Sequence, residues 1–457
     1  MNILVIGNGF DLAHGLPTKY TDFLEFCKMI EAVYTVGKNR KPEDIWKNLM
    51  LEVSNNEEGL RQLLSELYSI SMVSKDRNEK GVIVTNTIYD EFNRNIENND
   101  WIDYFLQCDM HGDENWIDFE SEISEVIQSI EDDMEDKGLY QKILLLSNKF
   151  FNDKYTNNVP EYLTAMYRDE QKKIEKPYIT FKELRDRLNK DLNRLIRALE
   201  IYLTEYVGKI NCKVVSPDIE EVVIKWSKKE DGTVGNVISN VLSFNYSNTY
   251  ERLYLSKQTS LSEKYMDYIH GKADINNTID SNNMVLGIDE YLPDDKRNKN
   301  IEFICFKKFY QRIHKETGCK YKNWVDKLCE EHLEYLKRQE ETNIKEYQYV
   351  ADSMQRMMKR LAASAIKDEQ YEWHNLYIFG HSLDITDGDI LRDLILNDNV
   401  HTTIFYFNKE QCGQQIANLV KVIGQDELIR RTGGSTKTIE FKLQQDMVDR
   451  RYVYEND

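Results

Sequence analysis

The stretch Met1-Asn2-Ile3-Leu4-Val5-Ile6-Gly7-Asn8-Gly9-Phe10-Asp11-Leu12-Ala13-His14-Gly15-Leu16-Pro17-Thr18 decides the fold. Ile3 to Ile6 are apolar, mostly β-prone and uncharged, as in a strand buried on both faces of a parallel sheet. Gly7 and Gly9 follow at once. Two glycines one residue apart permit a sharp turn and leave no side chain between the backbone and a ligand. An amide-rich turn at the end of a central strand suits a phosphate when a helix begins next. The third glycine of the dinucleotide fingerprint is absent: position 12 is Leu12, and the next glycine is Gly15. A tight strand-to-helix turn without a ligand is the alternative reading of the same residues.

Further along, strand signals recur at Val237–Phe244, before Tyr268-Ile269-His270-Gly271, at Met284–Gly287, at Asn375–Gly380, at Thr402–Phe407 and at Thr438–Leu443. Helical patterning occupies Gly388–Leu396 and Gln411–Ile423 between them. Strands alternating with helices argue an α/β fold, a Rossmann-like parallel sheet. The stretch from Glu25 to Asp231 reads differently. It has few β-runs and sparse glycine and proline. Phe181, Leu184, Leu188, Leu192, Leu195, Leu199 and Leu203 recur every three or four residues, and Thr180 with Glu183 fits a capping box. Phe119 to Asp136 reads as an acidic helix. The expected organisation is a core of 1–24 plus 232–300 plus 371–445, a large all-α insertion over 25–231, and a second helical insertion over 301–370.

The 457 residues carry 60 basic and 79 acidic side chains, a net charge of −19. No basic patch stands against that field, so nucleic acid is not an expected partner. Seven cysteines are odd in number and never spaced as CxxC. They read as reduced thiols, and no metal site is expected. The chain starts directly on strand residues, and its apolar runs, such as Ile143–Leu146, are too short to span a bilayer. The expectation is a cytoplasmic protein without a membrane anchor.

Ligands of open parallel sheets bind at the carboxyl ends of the strands. Just beyond the expected strands stand Gly7-Asn8-Gly9-Phe10-Asp11, Asn245-Tyr246-Ser247, His270-Gly271, and Gly380-His381-Ser382-Leu383-Asp384. Singly each is bland; an Asn after a strand is usually a turn residue. Gly380-His381-Ser382 matches the nucleophile elbow only in part, because Asp384 stands where a glycine would close it. Together the four clusters are expected to converge on one rim. His14, Asp387 and, on the acidic helix, Glu120 are further candidates, each with a plain structural alternative in a cap, a core contact or a solvated face.

These blocks, with Asn115-Trp116-Ile117-Asp118-Phe119-Glu120, resemble the bacteriophage abortive-infection AbiH family. They are also similar, more distantly, to sirtuin-like NAD-consuming domains. There a Gly-Ala-Gly-x-Ser turn and a Gly-Ile-Pro are followed by an Asn-x-Asp loop, a His-Gly and a Gly-x-Ser-Leu. Gly7, Gly9 and Gly15-Leu16-Pro17 match the first part, Asn245 the loop, His270 the catalytic His, and Gly380 and Ser382 the last part. Asp11 stands where that turn has Ser, and Ser247 where that loop has Asp. The resemblance implies an antiphage protein that cleaves NAD, or a related nucleotide, at the nicotinamide–ribose bond. It assigns His270 and Asn245 to catalysis. It assigns Gly7, Asn8, Gly9, Phe10, Asp11, Gly380, His381, Ser382 and Asp384 to the nucleotide. A phage trigger or partner protein, and self-association through the helical region, are the expected means of control. Two other readings are a nucleotide-sensing module without turnover and a different hydrolase or nuclease.

Overall fold

The computed structural model describes residues 1–36, 88–111, 118–137, 142–144, 165–169, 174–227, 240–255, 265–292, 296, 299–346 and 373–449. The chain divides into two compact units. The first comprises residues 1–16, 212–269 and 318–457; the second comprises 17–211 and 270–317. Residues 115–117 of the Asn-Trp-Ile-Asp-Phe-Glu block lie outside the described residues.

The first unit is built on six parallel strands: β1 (Asn2–Ile6), β2 (Asn240–Ser243), β3 (Met266–Tyr268), β4 (His374–Phe379), β5 (Val400–Tyr406) and β6 (Ile439–Leu443). Their order across the sheet is β6-β5-β4-β1-β2-β3, and every pairing is parallel. Read from the other edge this is 3-2-1-4-5-6, the Rossmann order, in which the winding reverses between strands 1 and 4. The reversal is visible in the packing. After β1, α1 (Asn8–Ala13) buries Phe10 on the face formed by Leu4, Ile6, Val241 and Phe379. The next helices on that face in chain order, α7 (Pro217–Ser227) and α8 (Thr249–Tyr254), supply Ile219, Val222 and Tyr250. After β4, α11 (Gly388–Ile395) buries Ile390, Leu391 and Leu394 on the opposite face, against Ile3, Val5, Leu376 and Ile378. Three more helices share it: α10 (Lys320–Glu346), α12 (Lys409–Ile423) and α13 (Gln425–Thr432), through Leu328, Leu419 and Leu428. Central strands buried on both faces explain why Ile3–Ile6 and Leu376–Phe379 lack polar alternation.

The second unit is mainly helical. It contains α2 (Tyr20–Val36), α3 (Ile88–Ile96), α4 (Asp100–His111), α5 (Phe119–Lys137), α6 (Phe181–Ile201) and α9 (Lys308–His314). The capping box expected at Thr180 is present: Glu183 N donates to Thr180 Oγ1 at 3.2 Å, and Thr180 N to Glu183 Oε2 at 3.0 Å. The leucine stripe of α6 is buried. An aromatic core of Phe23, Phe26, Phe92, Phe105, Phe119 and Tyr202 fills this unit, with Phe105 stacked on Phe119 at 4.0 Å. It is not wholly helical, however. Ile174–Thr180 pairs antiparallel with both Lys142–Leu144 and Ala165–Asp169. Met284–Gly287, read from sequence as a strand, joins none of the sheets among the described residues. Its residues are buried, and Val285 N donates to His270 O at 2.8 Å. An apolar run shows that a segment is buried, not that it pairs.

Candidate functional site

Three of the four clusters lie at the carboxyl ends of β1, β2 and β4, all in the first unit. Their backbones are joined first. Gly7 N donates to Phe379 O at 3.1 Å, and Gly9 N to Gly380 O at 2.8 Å. A Cβ on Gly7 would stand 2.8 Å from Gly380 O; one on Gly9 would stand 2.8 Å from Gly380 Cα. Gly380 itself has φ +66°, and a Cβ there would meet Phe10 N at 2.2 Å. The glycines therefore serve to press two turns together across the switch point. The amides of Gly7 and Gly9, expected to face a diphosphate, are spent on the carbonyls of Phe379 and Gly380 in this conformation. Phe10 is fully buried, so its contribution is packing rather than contact with a ligand.

Asp11 is the chemical centre of this rim. It is 2% exposed. Its Oδ2 accepts from Ser247 Oγ at 2.6 Å and from Asn245 Nδ2 at 3.1 Å, while Oδ1 is buried without a hydrogen-bond partner. Because Ser247 spends its proton on Asp11, the 3.0 Å contact between Ser247 Oγ and Thr249 Oγ1 must be a donation by Thr249. Burial pushes the Asp11 carboxyl up to about 6, against the opposing pull of the Ser247 and Thr249 hydroxyls, the Arg252 charge and the Asn245 amide. Desolvation outweighs hydrogen bonding here because one oxygen has no donor. The two departures from the sirtuin-like pattern, Asp11 and Ser247, thus touch each other. They are 236 positions apart in the chain.

Asn245 is buried, and its turn is closed by Ser243, whose Oγ donates to Asn245 O at 3.0 Å. A carboxyl oxygen beside the amide fixes which end is nitrogen. Asn245 Oδ1 is left as the outward acceptor and makes no hydrogen bond among the described residues.

Beyond β4, His381 is buried with its ring 4.3 Å from that of Phe244. Leu383 N donates to His381 Nδ1 at 2.9 Å, so Nδ1 is an acceptor and the ring proton lies on Nε2, 3.6 Å from Asp387 Oδ2. Leu383 adopts φ +60°, a costly conformation for a branched residue, and is held there by its fully buried side chain and this bond. Ser382 is exposed, and its carbonyl accepts from Asn418 Nδ2. Asp384 is half-buried and accepts from Thr386 N at 3.0 Å. Asn8 is exposed on α1.

His14 is a core residue. It contacts Phe10 O at 2.7 Å and Tyr254 Oη at 2.9 Å, and burial pulls its pKa down to about 4. His270 is the first residue of the second unit, following Ile269, whose amide extends β3 by donating to Ser243 O. His270 is buried, and the next residue, Gly271 (φ +80°), packs so tightly on Asn283 that a Cβ would lie 2.1 Å from its carbonyl oxygen. Below that turn, Glu200 of α6 accepts from Asp274 N at 3.0 Å, Asn277 Nδ2 at 2.6 Å and Asn282, and pairs with Arg197 at 2.7 Å. Arg197 in turn reaches Asp274 O and Ile275 O. This anchor carried no sequence signal beyond a charged pair on an amphipathic helix. Glu120 of α5 forms an ion pair with Lys308 at 2.7 Å.

A groove of about 400 Å³ opens on the sheet face beside β4, β5, β6 and α7, lined by Tyr377, Phe405, His401, Glu440, Lys442 and Asp218 among others. None of the strand-end residues lines it. Among the described residues no cluster of three or more His, Cys, Asp or Glu could hold a metal, and no helix is long and apolar enough to cross a membrane.

No curated protein and no solved structure matches the chain. A family model does match, over residues 3–408, from β1 through β5, so that Asp11, Asn245, Ser247, His270 and His381 all fall inside the matched span. This chain belongs to the bacteriophage abortive infection AbiH family.

Proposed function

We propose that this abortive-infection protein hydrolyses NAD, or a closely related nucleotide, at the nicotinamide–ribose bond. The observation that carries the reading is Asn245. It stands at the carboxyl end of β2 beside β1, with its Nδ2 committed to Asp11 and its Oδ1 left as an acceptor. The switch point of a 3-2-1-4-5-6 sheet is where dinucleotides bind in folds of this kind. The reaction asks little of a general acid. Water adds to C1′ of the ribose, the C1′–N bond breaks, and its electron pair stays on the nicotinamide nitrogen, which leaves neutral. The sugar passes through an oxocarbenium-like state. Asn245 Oδ1 accepts a hydrogen bond from the attacking water or a ribose hydroxyl and so holds it in line. The sirtuin-like resemblance assigns the proton released from the water to His270, a task suited to imidazole near neutral pH.

Gly7, Asn8, Gly9, Phe10 and Gly380 shape the turn on which the diphosphate rests. Ser382, with its exposed hydroxyl, and Asp384 serve phosphate and ribose; His381 orders their loop. Hydrolysis of NAD kills the cell that carries it, so turnover must be gated. The helical unit, larger than a site needs, takes the phage trigger or a second copy of the chain.

Purified protein is incubated with NAD and nicotinamide release is followed by chromatography. Asn245→Ala and His270→Ala should each lower release by about 10²–10⁴. NAD binding without release in the wild type, with or without a phage lysate, would overturn hydrolysis in favour of a sensor.

A further inference from the structure

A buried carboxyl with one orphaned oxygen is an expensive way to close a turn. Asn at position 11 would fill the same volume, could still accept from Ser247, and would carry no ionisation penalty. An acid does one thing that an amide does not. An ionised carboxyl only accepts hydrogen bonds, so it admits one orientation of the Asn245 side chain. An amide at position 11 could offer its own nitrogen to Asn245 Oδ1 and tolerate the flipped orientation. We infer that Asp11 is a positioning residue: with Ser247 as its partner, it locks the Asn245 amide so that Oδ1 faces outward. The inference rests on the proposed hydrolysis for its consequence, though not for its geometry.

The geometry is local and self-contained. Ser247 Oγ at 2.6 Å and Asn245 Nδ2 at 3.1 Å share the single oxygen Oδ2. Ser247 and Asn245 sit on the same loop after β2, and Asp11 sits on α1 after β1, so the carboxyl bridges neighbouring strands. Thr249 donates to Ser247 and completes a one-way donor chain, Thr249 to Ser247 to Asp11. The charged and titratable groups facing the carboxyl from the elements around it are Arg252 on α8 and Tyr268 on β3. His14, on the same helix as Asp11, is held by Phe10 O and Tyr254.

Ser at 11 and Asp at 247 would keep both members of the short hydrogen bond and exchange their ends. This makes the pair testable as a unit. Wild type, Asp11→Asn, Asp11→Ser, Ser247→Asp and the exchanged double variant Asp11→Ser/Ser247→Asp are compared by two readouts. The first is the side-chain amide signal of Asn245 in protein labelled with 15N at asparagine, assigned by its loss in Asn245→Ala. It should be slow to exchange with solvent in the wild type and the double variant, and fast in Asp11→Ser. The second is nicotinamide release. Asp11→Asn should lower kcat about 10- to 100-fold with KM changed less than about two-fold, because a misplaced group acts on the transition state. The double variant should recover most of that loss relative to either single variant.

An Asn245 amide equally protected in all variants, or a double variant no better than the singles by both readouts, overturns the inference. Wild-type protein that releases no nicotinamide overturns the proposed function alone; the amide signal then decides the positioning role.

Discussion

Replacing Asp11 by Asn should make stability depend on pH in a way that can be worked out from two buried groups. The Asp11 carboxyl stands at about 6 in the folded chain against 3.8 for the free side chain. Between those values the native state holds a proton that the unfolded state has lost. Stability from this group is therefore complete below pH 3.8 and declines as pH rises through 6. The difference of roughly two units corresponds to about 3 kcal/mol, with no discount for solvent because the group is buried. His14 acts in the opposite sense. Its folded value is about 4 against 6.5, so the unfolded state binds the extra proton and stability rises with pH over much of the same range. The contributions of these two groups nearly cancel in the wild type between pH 4.5 and 6. Asp11→Asn removes one of them. Urea unfolding at half-unit intervals from pH 4.5 to 7.5 measures the difference between variant and wild type, in which the His14 contribution drops out. That difference should move by about 2–3 kcal/mol in favour of Asn as pH rises. A difference that stays constant within error would refute the claim that Asp11 is desolvated at this rim.

Two further predictions follow from contacts elsewhere. Gly380→Ala combines a positive φ with a 2.2 Å approach to Phe10 N and should destabilise by about 3 kcal/mol or more, whereas Gly413→Ala in α12, with nothing within 4 Å, should gain about 0.5–1 kcal/mol; thermal melts of both variants check the contrast. Glu200→Ala strips the acceptor from Arg197, Asn277 and Asn282 and should cost about 3–5 kcal/mol, with faster amide exchange over residues 271–283 by mass spectrometry.

The parallel sheet was legible because its strands are buried on both faces and read as uniform apolar runs ending in Gly7, Asn245 and Gly380. The capping box at Thr180 and the leucine stripe of α6 were legible for the same reason: both are local patterns. What sequence could not supply was the pairing of distant polar side chains. Gly7 and Gly9 look the same whether their amides face a phosphate or the carbonyls of Phe379 and Gly380. Asp11 and Ser247 each look like an isolated departure from a pattern until the fold brings them to 2.6 Å. The apolar run Met284–Gly287 carries a strand signal although such a run marks only burial, and Ala165–Asp169 with its polar residues carries no strand signal at all. His270 reads with the strand before it, yet its carbonyl accepts from Val285 in the segment after it.

The central claim is that NAD is held at the carboxyl ends of β1, β2 and β4 with its scissile bond at Asn245. A crystal structure of the wild-type protein with a carbocyclic, non-cleavable NAD analogue tests it most directly. The account predicts the ring that replaces the nicotinamide ribose within about 3 Å of Asn245 Oδ1, and the diphosphate against the turns at residues 7–11 and 380–384. An analogue seated instead in the groove between Tyr377, Phe405 and Lys442, or density absent at saturating concentration, would contradict it.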